Sequence, residues 1–214
     1  MKNSIFDITE QNNDLSSKIV AGLERISEAF RVLLWDYAKI TGLSPIQIQI
    51  LIFIHCHNDN LSNVSHLAKE FNVTKPTISD AVKALELKKL IKKMPSSNDK
   101  RAYTILLTDQ GKKMVKATEQ FVNPFKEILE QFSSNEQKQL FNHIVKIIFT
   151  LNRKKVLTVQ RMCYNCRFYE KNQKSHFCKL MDIKLQDEDL RLDCPEYEGK
   201  PANNIGYDNN ISCG

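Results

Sequence analysis

Apolar residues recur every three or four positions in several stretches of the first 155 residues, which is the spacing of a buried helical face. The first such stretch covers residues 15–40, and Gly42 follows as a residue that can end a helix in the left-handed conformation. A second stretch opens with Ser44 as a cap and Pro45 in the first helical position. Its isoleucine-rich body also suits a strand by propensity. Because of the cap and the proline, we predict a helix here.

Two shorter amphipathic segments come next. The first has its apolar residues on one face: Val64, Leu67, Ala68 and Phe71. Thr74 can cap the second, whose inward face would hold Ile78, Ala81, Val82 and Leu85. Pro76 is compatible with that helix because it lies in the first turn, where no hydrogen bond is lost. Two short helices joined by a tight turn predict a helix-turn-helix, although an ordinary helical hairpin with a polar surface shows the same pattern.

The outward face of the second helix carries short polar and basic side chains, which can reach base edges and phosphates in a major groove. These candidate DNA contacts are Lys75, Thr77, Ser79, Asp80 and Lys83. Residues 61–111 hold 9 Lys and Arg against 5 Asp and Glu, a net charge of +4 within a chain of net +6. The excess of positive charge suits a polyanion, and a solvated basic face is the alternative explanation.

Residues 91–94 and 103–107 are short β-prone runs that predict a hairpin around a polar tip. A basic hairpin directly after a helix-turn-helix is a wing, which can place an arginine in the minor groove. Asp99 would pair with Arg101 and orient its guanidinium. The candidate wing contacts are Lys92, Lys93, Ser96, Ser97, Asn98, Asp99, Lys100 and Arg101.

The order helix-turn-helix, wing tip "DKRA" and then "LLTDQG" resembles the MarR family of winged-helix transcriptional regulators over roughly residues 15–155. The resemblance implies a homodimer whose terminal helices interlock. It also implies that the recognition helices read two half-sites of a pseudo-palindrome in double-stranded DNA, with Arg101 in the minor groove. One departure concerns Lys89, where the family usually has glycine. If this residue is left-handed, lysine costs roughly 1 kcal/mol relative to glycine.

Two further helices are predicted after Gly111, the second capped by Ser133 or Ser134. Pro124 is expected to kink the first of them. The apolar side of the second holds Leu140, Ile144, Ile147, Ile148 and Leu151. Together with the helix at 15–40, this apolar surface exceeds what a small winged core can cover, and it therefore predicts a dimer interface. Packing within one chain remains the alternative.

Four cysteines near the end of the chain have the spacing C-x2-C-x11-C-x15-C: Cys163, Cys166, Cys178 and Cys194. The first pair has the spacing of a metal knuckle, and four thiolates suit zinc or an iron–sulfur cluster. A segment with so few apolar residues needs a metal to fold, although reduced cysteines without a ligand remain possible. His176 is the only histidine expected to substitute as a ligand. We favour zinc, because it is the common structural metal in DNA-binding proteins.

Two features favour the iron–sulfur alternative. Cys194–Pro195 matches the Cys-Pro ending of bacterial ferredoxin motifs, and "CYNCRFY" with "FCKL" is similar to high-potential iron–sulfur proteins. The chain has neither an apolar run long enough to span a membrane nor the start of a signal peptide, so we expect a cytoplasmic protein. No catalytic arrangement of residues is evident, so an enzyme is not predicted.

The sequence thus predicts a mainly α fold with a small β-hairpin wing: a winged helix-turn-helix with long dimerisation helices at 1–159, a cysteine-rich metal-binding module at 160–200 and a disordered tail at 201–214. The expected function is a transcriptional regulator, a repressor, which responds to metal or redox state or to a small-molecule effector of unspecified identity. The alternative is a redox or metal-handling protein that uses the winged domain to bind a partner.

Overall fold

A computed structural model describes residues 4–95, 103–172 and 175–200 of the chain. By its internal contacts the chain forms two compact units, residues 1–62 with 79–128, and residues 63–78 with 129–214. In the described residues, the helices are α1 Ile8–Asn13, α2 Leu15–Thr41, α3 Pro45–Cys56, α4 Val64–Glu70, α5 Lys75–Leu87, α6 Asp109–Thr118, α7 Asn123–Leu129 and α8 Ser134–Arg153. The strands are β1 Ile91–Pro95, β2 Tyr103–Leu107, β3 Tyr169–Asn172, β4 Ser175–Cys178 and β5 Ile183–Leu185. No single helix in these ranges is long and apolar enough to cross a membrane, and α2 with α3 passes that test only as a pair bent by 93°.

Helices α2 and α3 begin at the predicted residues, Leu15 and Pro45, and α2 ends at the predicted Gly42. The Asp14 carboxylate accepts a hydrogen bond from the Ser17 amide at 2.7 Å, and Gly42 ends α2 with a φ of +65°. Ser44 and Gln47 form a capping box at the start of α3. The helix prediction for α3 is confirmed: its apolar residues face the core on several sides, and this burial overrides the strand propensity of isoleucine.

The predicted wing is an antiparallel hairpin in which Ile91 pairs with Leu107 and Pro95 with Tyr103. The Ile105 amide donates to the Ser62 carbonyl at 2.8 Å, which fixes β2 against the chain before α4. Gly111 lies one turn into α6, where a β-carbon would come within 2.0 Å of the Leu90 carbonyl oxygen. A glycine is therefore required at this position, where the chain runs from the wing into α6.

Three helices end in the same hydrogen-bond pattern around a left-handed residue that is not glycine. These residues are Asn72 after α4, Lys89 after α5 and Lys155 after α8, with φ values of 54°, 58° and 61°. After α5, the Leu90 amide bonds the Leu85 carbonyl at 3.0 Å and the Lys89 amide bonds the Glu86 carbonyl at 2.8 Å, which is a Schellman motif. Lys89 therefore has the left-handed conformation, in which lysine is less favourable than the glycine that the family resemblance implies at this position.

The prediction of one helix kinked at Pro124 is wrong. The α-helix ends at Thr118, a short 3-10 helix covers Glu119–Val122, and α7 then begins at Asn123. Thr118 is fully buried, and its hydroxyl donates to the Met114 carbonyl at 2.9 Å, which competes with the helical backbone bonds. Pro124 lies in the first turn of α7, where its missing N–H costs nothing.

The second unit combines α4, the start of α5, α8 and the cysteine-rich segment. Ser133, and not Ser134, caps α8 through a capping box with Glu136. Strands β3, β4 and β5 form an antiparallel sheet in that order, with Tyr169 opposite Cys178 and Cys178 opposite Ile183. The small buried cluster of this segment consists of Cys166, Tyr169, Leu185 and Leu190. Residues 201–214, predicted to be a disordered tail, lie outside the described residues.

Candidate nucleic-acid interface and cysteine cluster

The polar face of α5 is accessible along its length. Ile78, Ala81, Val82 and Leu85 are buried on the opposite face, as the apolar spacing predicts. The candidate DNA contacts on this helix lie away from that core: Lys75, Thr77, Asp80 and Lys83 are exposed, and Ser79 is half-buried. The helix is therefore amphipathic in the sense required of a recognition helix.

Local hydrogen bonds orient this face. The Thr74 hydroxyl oxygen accepts from the Thr77 amide at 3.3 Å and also contacts the Thr77 hydroxyl at 2.8 Å, so Thr74 is the predicted cap. The Lys83 ammonium lies 3.3 Å from the Asp80 carboxylate, both well exposed. An exposed pair of this kind contributes little stability, so Lys83 can exchange Asp80 for a phosphate at small cost.

The two lysines of β1 are not equivalent. Lys92 is exposed, whereas the half-buried Lys93 ammonium lies 2.6 Å from Glu86 and 5.1 Å from the centre of the Tyr103 ring. Glu86 therefore already neutralises Lys93, and Lys92 is the better placed of the two for an anion. The wing-tip candidates lie outside the described residues: Ser96, Ser97, Asn98, Asp99, Lys100 and Arg101.

The long helix α2 exposes a row of apolar side chains that includes Ile19, Leu23, Ile26 and Phe30. Phe30 stacks on Phe125 of α7 with ring centres 3.9 Å apart. An open apolar cavity of about 860 Å³ lies along this face, with Leu23, Phe30, Trp35, Ile46 and Phe121 among its lining residues. A continuous apolar surface of this kind is unusual for a helix that faces water.

The four cysteines of the C-terminal segment meet at one cavity of about 20 Å³. The lining residues are Cys163, Cys166, Cys178 and Cys194 with Tyr169, Met181, Leu185, Asp189 and Arg191. A cavity of this size has room for one atom-sized occupant. None of these cysteines forms a disulfide, and in the part of the chain that the structure describes no set of three or more His, Cys, Asp or Glu is drawn together in the geometry of a metal site.

Arg191 supplies hydrogen-bond donors to two of the sulfurs. Its backbone amide donates to Cys163 Sγ at 3.2 Å, and its guanidinium donates to Cys194 Sγ at 3.5 Å and to Glu196 at 2.9 Å. Burial raises the pKa of the Cys163 thiol and of the Cys194 thiol, and the bonds from Arg191 oppose that rise. The surroundings thus favour the protonated form of these two free thiols, and the bonds from Arg191 would stabilise their thiolates once a cation offsets the burial.

His176 has a different role from the substitute ligand expected from the sequence. Its Nδ1 contacts the Tyr169 hydroxyl, and its Nε2 lies 2.9 Å from Asp187 Oδ1. The Asn142 side chain of α8 donates to Asp187 Oδ2 at 2.9 Å. Both ring nitrogens of His176 are therefore engaged within the cysteine-rich segment, and Asp187 connects that segment to α8 through Asn142.

Sequence reasoning overlooked a buried arginine, Arg161, which has only 8% of its side chain exposed. Its guanidinium binds Glu70 at 2.7 Å on one side and Asp193 at 2.7 and 2.8 Å on the other. Its Nη1 also lies 3.3 Å from His66 Nε2. No local sequence pattern predicts this cluster, since Glu70 lies 91 residues before Arg161 and Asp193 lies 32 residues after it.

Comparisons with known proteins find that the chain is similar to transcriptional regulators. Residues 41–102 match the model of the MarR family. The chain is 28% identical over 146 residues to the HTH-type transcriptional repressor YetL of Bacillus subtilis, covering 66% of this chain and 85% of YetL. It is 26% identical over 117 residues to the HTH-type transcriptional regulator YdgJ of the same organism, covering 54% of this chain and 70% of YdgJ.

Solved structures agree with this result. The S. aureus MepR–DNA complex is 26% identical, covers 60% of this chain and 94% of MepR, and superposes with a TM-score of 0.53. The transcriptional regulator PA3341 is 23% identical, covers 63% of this chain and 98% of PA3341, and shares the fold with a TM-score of 0.55. The chain is thus similar to the MarR family over residues 41–102 and to winged-helix transcriptional regulators over 54–66% of its length.

Proposed function

We propose that the protein is a DNA-binding transcriptional regulator, a repressor, that acts as a homodimer on a pseudo-palindromic duplex. The observation that carries the proposal is the exposed polar and basic face of α5, which is preceded by α4 and a tight turn and followed by an antiparallel hairpin. MepR, whose structure with DNA superposes on the chain, and the repressor YetL support the assignment.

The homodimer accounts for the apolar face of α2. Association would cover Ile19, Leu23 and Ile26, which otherwise expose apolar surface to water. A dimer also fixes the spacing between two recognition helices, which a pseudo-palindrome requires. The cavity of about 860 Å³ along this face shares Leu23 and Ile26 with the proposed dimer interface; it has the size of a ligand pocket, in which a small-molecule effector would bind.

For the cysteine cluster we propose a single zinc ion held by Cys163, Cys166, Cys178 and Cys194. Sulfur donors suit zinc, and the two N–H···S bonds from Arg191 would stabilise thiolate ligands. We prefer zinc to an iron–sulfur cluster because zinc is the common structural metal at four-cysteine sites. Zinc supplies structural cross-linking, and no redox step is required of it.

The test of DNA binding compares two matched lysines in full-length protein. Lys83 pairs with Asp80 at 3.3 Å on α5, and Lys39 pairs with Asp36 at 3.2 Å on α2. On a duplex selected from a random pool, Lys83→Ala should weaken binding and reduce the slope of log affinity against log salt by about 1, while Lys39→Ala changes neither. Equal slopes for both variants would remove α5 from the interface, and a failure to select any duplex would favour the metal-handling alternative.

A further inference from the structure

The buried guanidinium of Arg161 joins the cysteine cluster to the first helix of the helix-turn-helix. We propose that Arg161 is a positioning residue through which zinc at the four cysteines orders α4 and thereby regulates DNA binding. The proposal rests on the function proposed above, because it supplies the route between the metal site and the DNA-binding helices. It concerns one compact unit, which contains residues 63–78 as well as the cysteine-rich segment.

On the α4 side, Arg161 holds two residues of one helical face. Its Nη1 donates to Glu70 Oε2 at 2.7 Å and lies 3.3 Å from His66 Nε2, and its Nη2 donates to Glu70 Oε1 at 3.3 Å. The chain that leads into Arg161 is fastened to the same helix. The Thr158 hydroxyl donates to the Lys69 carbonyl, and the Asn72 side chain donates to the Val156 carbonyl at 3.4 Å.

On the cysteine side, Arg161 is held by both its side chain and its backbone. The guanidinium makes a two-point contact with Asp193, the residue directly before Cys194. The Arg161 carbonyl accepts from the Cys194 amide at 3.0 Å, and the Cys163 amide bonds the Arg191 carbonyl at 3.1 Å. The backbone around two of the four thiols therefore determines where the guanidinium lies.

Burial makes this connection sensitive to the order of the cysteine segment. The Glu70 side chain is 19% exposed and that of Arg161 is 8% exposed, so neither charge is well solvated if its partner moves away. A guanidinium presents its donors in a rigid fork, so both carboxylates must keep their places for all the bonds to form. Loss of the metal would loosen the segment that carries Asp193, and Arg161 would then hold α4 less firmly.

The direction of the effect follows from preorganisation. DNA binding must hold α4 and the start of α5 in one position, and a helix already ordered loses less conformational entropy on binding. Zinc should therefore increase affinity for DNA. By linkage, DNA should increase affinity for zinc by the same factor.

The experiment uses full-length protein, loaded with zinc or stripped by a chelator, under anaerobic reducing conditions. Hydrogen exchange first measures protection of residues 64–70, a readout that does not depend on DNA. Affinity for a duplex selected from a random pool is then measured in both states. In wild type, zinc should increase the protection of α4 and tighten DNA binding at least about fivefold, the lower end of typical coupling between sites.

Three variants complete the comparison. Arg161→Lys keeps the charge but not the fork, and Glu70→Gln keeps the shape but not the charge; both should bind zinc yet show no difference between the two states. Arg167→Lys is the matched control, because Arg167 lies in the same segment and pairs with Glu198 at 3.0 Å with about half of each side chain exposed. It should retain the wild-type response. If Arg161→Lys folds poorly, Glu70→Gln alone decides.

The outcomes separate the two proposals. A zinc-dependent protection of α4 without any DNA binding would overturn the proposed function and leave the coupling intact. Specific DNA binding with equal protection of α4 in both zinc states would overturn the coupling and leave the function intact. Retention of the full response in Glu70→Gln, with zinc bound, would show that Arg161 does not transmit it.

Discussion

The winged-helix region and the cysteine-rich segment are stabilised in different ways. In the first, the core consists mainly of fully buried aliphatic residues such as Ile48, Leu51 and Ile105, and its buried polar residues include the uncharged Ser62 and Thr118. In the second, the buried cluster is a cysteine, a tyrosine and two leucines, next to the buried polar side chains of Arg161 and His176. Apolar burial needs only volume and shape, whereas buried polar groups need particular partners. The second region should therefore be the more easily lost when one interaction is removed.

Removal of the metal should have the largest effect. Chelation, or Cys166→Ser, should unfold the cysteine-rich segment, since structural zinc contributes about 10–16 kcal/mol of folding free energy in small zinc domains. Hydrogen exchange resolved by peptide should show protection lost in residues 160–200 and kept in residues 45–56. Cys56→Ser is the control, because Cys56 is an exposed cysteine outside the cluster. Equal loss of protection in both regions, or none in either, would contradict the contrast.

Truncation of a buried aliphatic side chain in the winged-helix region should have the next largest effect on stability. Leu85 is fully buried on α5, so Leu85→Ala should lower the free energy of unfolding by roughly 2–5 kcal/mol through lost burial and the cavity left behind. Leu87 lies on the same helix with 84% of its surface exposed, and Leu87→Ala should change the free energy of unfolding very little. Urea unfolding measures both effects. Zinc content should remain one ion per chain in both variants, and a loss of zinc in Leu85→Ala would show that the two regions are not independent in this respect.

The same contrast explains how much could be predicted. The bounds of α2, α3 and α5 follow from apolar spacing and from caps within four residues of each helix start, and the hairpin follows from two short β-prone runs. Such local signals are written in consecutive residues. The contacts of Arg161 with Glu70 and Asp193 join distant positions by charge, and no spacing rule finds them. The break before α7 was not predicted, because it depends on the buried Thr118 hydroxyl, which donates to the Met114 carbonyl. The sequence does not show whether a threonine is buried or which carbonyl it contacts.

At the candidate interface, the types of residues were predictable but their partners were not. Lys83 and Lys93 look alike in the sequence, yet Lys93 is held by Glu86 and lies beside Tyr103. That arrangement depends on the geometry of the hairpin relative to α5. In the same way, the spacing of the four cysteines predicted that they would meet, but not that Arg191 would donate to two of their sulfurs.

A smaller effect is expected at the wing tip. Arg101→Ala should weaken binding to the selected duplex by roughly 1–3 kcal/mol, the value typical of one well-placed contact with DNA. Zinc affinity should not change, since the sequence assigns Arg101 to DNA alone. Binding is measured by fluorescence anisotropy at moderate salt, with Lys39→Ala as the control for a lost positive charge. Undiminished affinity would remove the wing from the proposed interface.

The smallest effect concerns two lysines with equivalent backbone conformations, one in each compact unit. Lys89 and Lys155 follow α5 and α8 with φ values of 58° and 61°, and each helix end has the hydrogen bonds of a Schellman motif. The left-handed conformation costs a residue with a β-carbon about 1–2 kcal/mol, and glycine avoids this cost. Glycine in turn destabilises the folded state by about 0.5–1 kcal/mol, because it has more conformational entropy in the unfolded chain. Lys89→Gly and Lys155→Gly should therefore each stabilise the protein, by about 0.5–1 kcal/mol.

The alanine variants separate backbone strain from side-chain effects. Lys89→Ala and Lys155→Ala remove the same charges but keep the β-carbon, so neither should be stabilised. For Lys89 the strained conformation is fixed from outside the helix, because the Thr108 hydroxyl donates to its carbonyl at 2.7 Å. Urea midpoints measured with zinc bound should then rise for Lys89→Gly without a change in the m-value. Lys155 lies in the unit with the cysteine cluster. If the end of α8 unfolds when zinc is removed, Lys155→Gly should no longer raise the urea midpoint of the zinc-free protein. An equal gain at both sites in zinc-free protein would mean that the end of α8 remains folded without the metal.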